Sequence, residues 1–181
     1  MKILGICGSL REKSYNKGLL EAAKGLAPEN MEIEIVDLSE IPSFNQDLEM
    51  NLPEAVVEFK AKIEEADGLL FATPEYNYSV PGILKNAIDW ASRPFGQNIF
   101  EGKPVAIMGA SIGMSGTIRA QIALRQTFAY LNVYDMKKPE IYVTDATNKF
   151  SAESKLTDTD TSDHLSKFLQ AFEIWVKKMT N

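Results

Sequence analysis

One cysteine and one histidine among 181 residues leave little material for thiol or metal chemistry. A thiolate or imidazole zinc cluster cannot be assembled from Cys7 and His164 alone. A lone cysteine closes no internal disulfide, which fits a reducing compartment, and Cys7, inside the first apolar run, reads as a small core residue. His164 reads as a solvated residue where the last helix begins, outside any catalytic role. No apolar run approaches the ~20 residues that span a bilayer, and the N-terminus lacks a secretory leader's basic start and long apolar stretch. The expectation is a cytoplasmic protein without a membrane partner. Basic charge is also short: 19 basic against 25 acidic residues give a net charge of -6, which argues against a nucleic-acid partner. Two nucleotide fingerprints are missing as well. Without Gly-x4-Gly-Lys-Ser/Thr or Gly-x-Gly-x-x-Gly, a P-loop ATPase and a dinucleotide Rossmann site lose their support.

What is present is a repeated alternation of strand-like runs and helical periodicity. Strands are expected over Lys2–Cys7, Glu32–Asp37, Gly68–Thr73, Val105–Gly109 and Ile141–Thr144. Helices are expected over Asn16–Leu26, Pro53–Glu65, Pro81–Ser92, Thr117–Leu131 and Ser162–Met179. Such an order predicts one α/β domain over residues 1–181, a five-stranded parallel sheet with helices on both faces in three layers. There is no internal repeat, and Thr144–Asp160 reads as an exposed polar loop. In such sheets ligands sit beyond the carboxyl ends of the strands, where the winding reverses.

The unusual segments fall at that edge. Gly8-Ser9-Leu10-Arg11-Glu12-Lys13-Ser14-Tyr15-Asn16 joins the first strand to the first helix. A helix N-terminus offers unpaired N–H groups and a positive dipole end to an anion. Gly8 permits close approach, and Arg11 can grip two phosphate oxygens at once. After the third strand comes Thr73-Pro74-Glu75-Tyr76-Asn77-Tyr78-Ser79-Val80-Pro81-Gly82, stiffened by two prolines. Pro81 suits the first turn of the following helix. This loop suits a flat heteroaromatic ring, with backbone N–H groups on its edge and a tyrosine as its wall. Read alone, the same segment also fits an ordinary turn capped by Ser79. After the fourth strand, the small residues of Gly109–Gly116 form a third loop, with Ser111 at its start. A phosphate end, a ring wall and a small-residue floor describe a mononucleotide with a large ring, and FMN fits best.

At these residues the chain resembles the NAD(P)H-dependent FMN reductases, a family of flavodoxin-like proteins. The resemblance rests on Gly8-Ser9-Leu10-Arg11 with Ser14 and Asn16. It rests equally on Thr73-Pro74-Glu75-Tyr76-Asn77-Tyr78-Ser79 continuing through Pro81-Gly82-Ile83-Leu84-Lys85-Asn86-Ala87-Ile88-Asp89-Trp90. It implies that Ser9, Leu10, Arg11, Ser14, Tyr15 and Asn16 surround the phosphate. It further implies that Pro74, Glu75, Tyr76, Asn77 and Tyr78 line the isoalloxazine, with Ser111 on the ring or ribityl side. Met114-Ser115-Gly116 departs from the paired glycines common in that family. The implied activity is an FMN-containing NAD(P)H oxidoreductase working in ping-pong fashion on flavins, quinones, azo dyes or similar small acceptors. The chemistry is then centred on the flavin, with no catalytic side chain and no metal. A one-electron flavodoxin carrier and a flavin-sensing module share the fold, although Arg11 and Lys13 differ from a carrier's hydroxyl-based phosphate loop.

Surplus apolar residues on the third and fourth helices point to self-association, most simply a homodimer, with a homotetramer also permitted by the resemblance. Ile118, Ile122 and Ala129 lie off the fourth helix's core stripe, and Trp90 and Phe95 remain over from the third. Trp90 is expected at the subunit interface. The Pro42–Asp47 loop is expected to edge the partner's flavin.

Overall fold

The computed structural model describes residues 1–180. Its strands are β1 (Lys2–Cys7), β2 (Glu32–Val36), β3 (Gly68–Ala72), β4 (Pro104–Ala110), β5 (Tyr134–Asp135) and β6 (Ile141–Val143). The α-helices are α1 (Tyr15–Leu26), α2 (Glu54–Glu65), α3 (Gly82–Ala91), α4 (Ile118–Tyr130), α5 (Ala146–Lys149) and α6 (Thr159–Thr180). All pairings are parallel, in the order β2-β1-β3-β4-β5, with β6 also on β4. The fifth strand position is thus filled twice. β5 pairs with Pro104 and Val105 at the start of β4, and β6 pairs with Met108–Ala110 at its end. Pro139 stands between them and has no N–H to give a ladder.

Strand residues alternate between two cores, as the pleat requires. Leu4, Ile6, Leu69, Phe71, Val105 and Ile107 face α2, α3 and α4. Ile3, Cys7, Leu70, Ala72, Ala106 and Met108 face α1, α5 and α6. This is the expected flavodoxin-like three-layer arrangement. The chain reverses its winding between β1 and β3, and ligands of such sheets bind beyond the strand ends at that switch point. No helix among the described residues is long and apolar enough to cross a membrane.

Two expectations are corrected here. Thr144–Asp160 is only in part an exposed loop: it holds the short α5 and an antiparallel bridge between Phe150 and Leu156. Phe150 is buried in the α1–α6 core, and the backbone of Ser154 packs against α1, where a Cβ on Gly18 would lie 1.8 Å from the Ser154 oxygen. Trp90 is the second. It is wholly buried, packs edge-on against Phe44 at 4.9 Å and donates its indole N–H to the Pro42 carbonyl at 2.8 Å. It therefore locks the loop after β2 and presents nothing to a second subunit.

Candidate functional site

The loop from Gly8 to Ser14 leaves β1 and turns directly into α1. Ser14 is the N-cap, its hydroxyl accepting from the Lys17 amide at 3.3 Å. Ser9 is buried, and its hydroxyl accepts from the Arg11 amide at 3.4 Å. The amides of Leu10 and of Glu12 through Asn16 donate to no acceptor among the described residues. This run of unused donors sits at a helix N-terminus, with the exposed Arg11 guanidinium beside it. Leu10 is exposed at the loop's tip. The Arg11 guanidinium lies 5.4 Å from the centre of the Tyr15 ring, which leans on Phe150 at 5.3 Å. Tyr15 thus seats the arginine as well as covering the core.

Asn16 stands apart from the other expected phosphate ligands. Its side chain is buried and bonded in both directions to Ala110, amide to carbonyl and carbonyl to amide, each at 2.9 Å. It pins the start of α1 to the end of β4, and its amide group is already committed there. Gly8 also has a different partner from the one expected. A Cβ at this position would meet Leu84 at 3.2 Å, Pro74 at 3.3 Å and Pro81 at 3.4 Å, so the missing side chain admits the prolines of the next loop.

That next loop, Thr73 to Pro81, follows β3. Pro74 is buried against Gly8, and Thr73 donates its amide to Met108 at 3.0 Å. Beyond them the chain folds into a tight turn in which Tyr76 and Ser79 exchange both backbone hydrogen bonds, at 3.2 and 3.0 Å. Asn77 and Tyr78 take φ values of 51 and 63°. A bulky residue at positive φ is strained, and such strain persists only where surrounding structure holds it. Tyr76 and Tyr78 both lie open to solvent, and the amides of Glu75, Asn77 and Tyr78 find no acceptor among the described residues.

Glu75 supplies the holding contact. Its side chain, only 8% exposed, reaches the N-terminus of α4. Oε2 accepts from the amides of Arg119 at 2.9 Å and Ala120 at 3.2 Å, and Oε1 accepts from the Arg119 guanidinium at 3.2 Å. The guanidinium then lies 4.1 Å from the centre of the Tyr78 ring. α4 needs this outside cap. Its own N-cap, Thr117, has φ of 73° and makes no capping bond, its hydroxyl instead accepting from Gln121. The carboxylate expected at the ring is therefore a long-range helix cap, and only its backbone amide remains for a ligand. Nothing local in the sequence signals a pairing across 44 residues.

Ser111, at the end of β4, donates its amide to Val143 at 2.9 Å and accepts from Gly113 on its hydroxyl at 3.1 Å. It folds the third loop back, leaving Ile112 and Met114 exposed. His164 lies exposed on α6, remote in sequence from all three loops. Cys7 is buried at the end of β1, and desolvation pushes its thiol pKa above the ordinary 9.0. No group of histidine, cysteine and carboxylate side chains suited to a metal occurs among the described residues.

The free donors of the first loop with Arg11 fit a phosphate monoester, and the second loop's amides and tyrosines fit the edge and face of a flat ring. Residues 1–148 match the family model described as NADPH-dependent FMN reductase. The chain belongs to the NADPH-dependent FMN reductase family. It is 51% identical over 180 residues to an NAD(P)H-dependent FMN reductase of Pseudomonas aeruginosa, covering 99% of this chain and 97% of that one. A 2-hydroxy-1,4-benzoquinone reductase of a Burkholderia species is 44% identical, with 98% and 97% covered. Among solved structures, the flavoenzyme NAD(P)H:(acceptor) oxidoreductase of Paracoccus denitrificans superimposes with a TM-score of 0.91 at 38% identity, covering 98% of both chains. The resemblance carried by the two sequence motifs is thereby borne out over the full fold, and the expected enzyme class, an NAD(P)H-dependent FMN and quinone reductase, is that of these relatives.

Proposed function

We propose that the chain binds FMN across the crevice between the loops after β1 and β3, and uses it to pass hydride from NAD(P)H to a small planar acceptor. The observation that carries this reading is the set of unpaired amides of Leu10 and Glu12 to Asn16 around Arg11, at the point where the sheet reverses its winding. Ser9, Arg11, Ser14 and these amides hold the phosphate, while the amides of Glu75, Asn77 and Tyr78 meet the ring edge. Bound FMN supplies the centre that takes up and gives back hydride. Donors already fixed by the strained turn favour negative charge at that edge without reorganising. Tyr76 and Tyr78 bound the ring's open side, and no side chain is needed as a general acid. Donor and acceptor use the same opening in turn. Relatives named as quinone reductases, at 42 to 44% identity, support a quinone as one acceptor.

The working form we propose is a homodimer in a reducing, cytoplasmic setting. A groove of about 680 Å³ runs between α3 and α4 and is lined in part by Ile88, Phe95, Ala123 and Tyr130. Phe95 and Tyr130, both exposed, are the aromatic residues there that lack cover, and Ile122, 59% exposed, precedes the lining Ala123 on α4.

Equilibrium titration of the flavin-free chain tests the cofactor assignment. FMN should bind far more tightly than riboflavin, since charge-assisted hydrogen bonds contribute about 1.5–3 kcal/mol each. Arg11→Ala should weaken FMN about ten- to a hundredfold and leave riboflavin unchanged. Equal affinities for the two flavins would remove the phosphate from this loop.

A further inference from the structure

The loop after β1 has a second side. Away from β3, a cleft of about 370 Å³ opens between the start of α1 and the end of β2, in the size range of small-ligand sites. Its walls include Leu10 and Arg11 from the loop, Lys17 from α1, and Ile35, Asp37 and Ser39 from β2 and the turn beyond it. An FMN ring reaching toward the loop after β3 leaves this cleft empty. Building on the proposed cofactor position, we propose that the cleft is a subsite for the adenosine 5′-diphosphate moiety of a dinucleotide.

The chemistry of the walls is specific to that group. Arg11 and Lys17 take part in no ion pair among the described residues. Arg11 therefore stands between the cradle and the cleft, free to hold a bridging pyrophosphate from both sides. Asp37 uses Oδ1 to accept the Ser39 amide at 2.9 Å, and that bond holds its carboxyl below the ordinary range. Its second oxygen is left for an outside donor. A carboxylate just past the second strand of a βαβ unit, with phosphate held in the first turn, is the arrangement that binds ribose hydroxyls in dinucleotide folds. The glycine fingerprint of those folds is absent, but Arg11 and the free amides replace its grip on the phosphates. Ile35 and Leu10 offer apolar surface for a base. Glu12 and Glu21 also line the cleft, so beyond the cradle the charge is net negative. A neutral nucleoside fits there better than a further phosphate monoester.

Two dinucleotides carry this moiety, a flavin dinucleotide and a nicotinamide dinucleotide, and one variant separates them. Asp37→Asn keeps an oxygen for the Ser39 amide and loses the carboxylate. The flavin-free chain is titrated with FMN and FAD by fluorescence quenching, and the FMN-loaded chain is titrated with NAD⁺ by calorimetry. If the flavin supplies the group, FAD binds at least as tightly as FMN, and Asp37→Asn weakens FAD about tenfold while FMN is unchanged. If the nicotinamide dinucleotide supplies it, NAD⁺ affinity falls about tenfold in the variant while FMN and FAD stay as they were. Normal FMN binding with neither FAD nor NAD⁺ affected by Asp37→Asn overturns the subsite and leaves the FMN reading standing. Failure of FMN itself to bind overturns both.

Discussion

Replacing Glu75 with alanine removes the one cap that α4 has, and its cost follows from the contacts. The carboxylate accepts from two backbone amides, those of Arg119 and Ala120, and pairs with the Arg119 guanidinium. Loss of a helix cap costs about 0.5–2 kcal/mol, and an anion at a helix N-terminus adds a few tenths to one more. The ion pair adds little, because the arginine side chain is 44% exposed and water screens it. About 2 kcal/mol is expected in total, which for a chain of this length lowers Tm by about 4–8 °C. Thermal unfolding is measured on the flavin-free protein, because bound ligand raises Tm by mass action. Glu75→Gln keeps an acceptor oxygen and should lose about half as much. Arg119→Ala leaves both amide bonds in place and should cost no more than ~1 kcal/mol. The same Glu75→Ala protein should bind FMN more weakly, since the turn at Asn77 and Tyr78 loses its anchor. An Arg119→Ala protein less stable than Glu75→Ala, or a Glu75→Ala protein with unchanged Tm, would refute the cap.

Gly109→Ala places a Cβ 2.0 Å from the Thr117 hydroxyl and 2.5 Å from the Thr73 carbonyl, so it should cost ~3 kcal/mol or more in denaturant unfolding. Cys7 should resist a disulfide reagent at pH 8 until the chain unfolds, because its burial holds the thiol protonated. The same upward shift makes Cys7 favour the folded state only below its ordinary pKa of 9.0, and that contribution fades as pH rises beyond it, which unfolding curves on Cys7→Ala and parent protein would reveal. Tyr130→Glu should lower the sedimenting mass if the α3–α4 groove is the dimer contact, whereas an unchanged mass in a folded variant removes that surface.

The strands with continuous apolar runs, β1, β3 and β4, were legible in the sequence almost to the residue. β5 was not, since Tyr134–Asp135 is short and half polar and is recruited by the start of β4. The segment from Asp145 to Leu156 looked like a loop because its composition is polar, yet Phe150 and Ala146 are buried and Gly18 makes room for Ser154. At the site, the Gly8–Ser14 loop and the proline-stiffened turn stood out because their run of hydroxyls, amides, tyrosines and prolines is unusual for plain connections. Where three of the side chains turn was not legible, for a different reason. Asn16, Glu75 and Trp90 carry groups that suit a ligand or an interface, but each is satisfied by a backbone distant in sequence: Ala110, Arg119 with Ala120, and Pro42. Only the fold brings those partners together.

As an NAD(P)H-dependent FMN and quinone reductase, the chain passes electron pairs from a nicotinamide to an outside acceptor. Anaerobic spectral titration of the FMN-loaded protein with NADH and with NADPH addresses it directly. The expected result is bleaching of the flavin bands by at least one of the two donors, without a long-lived blue or red species, and rapid recovery on adding a quinone. Sluggish bleaching by both nicotinamides, together with a persistent radical spectrum under a one-electron reductant, would contradict the account and make the protein a one-electron carrier.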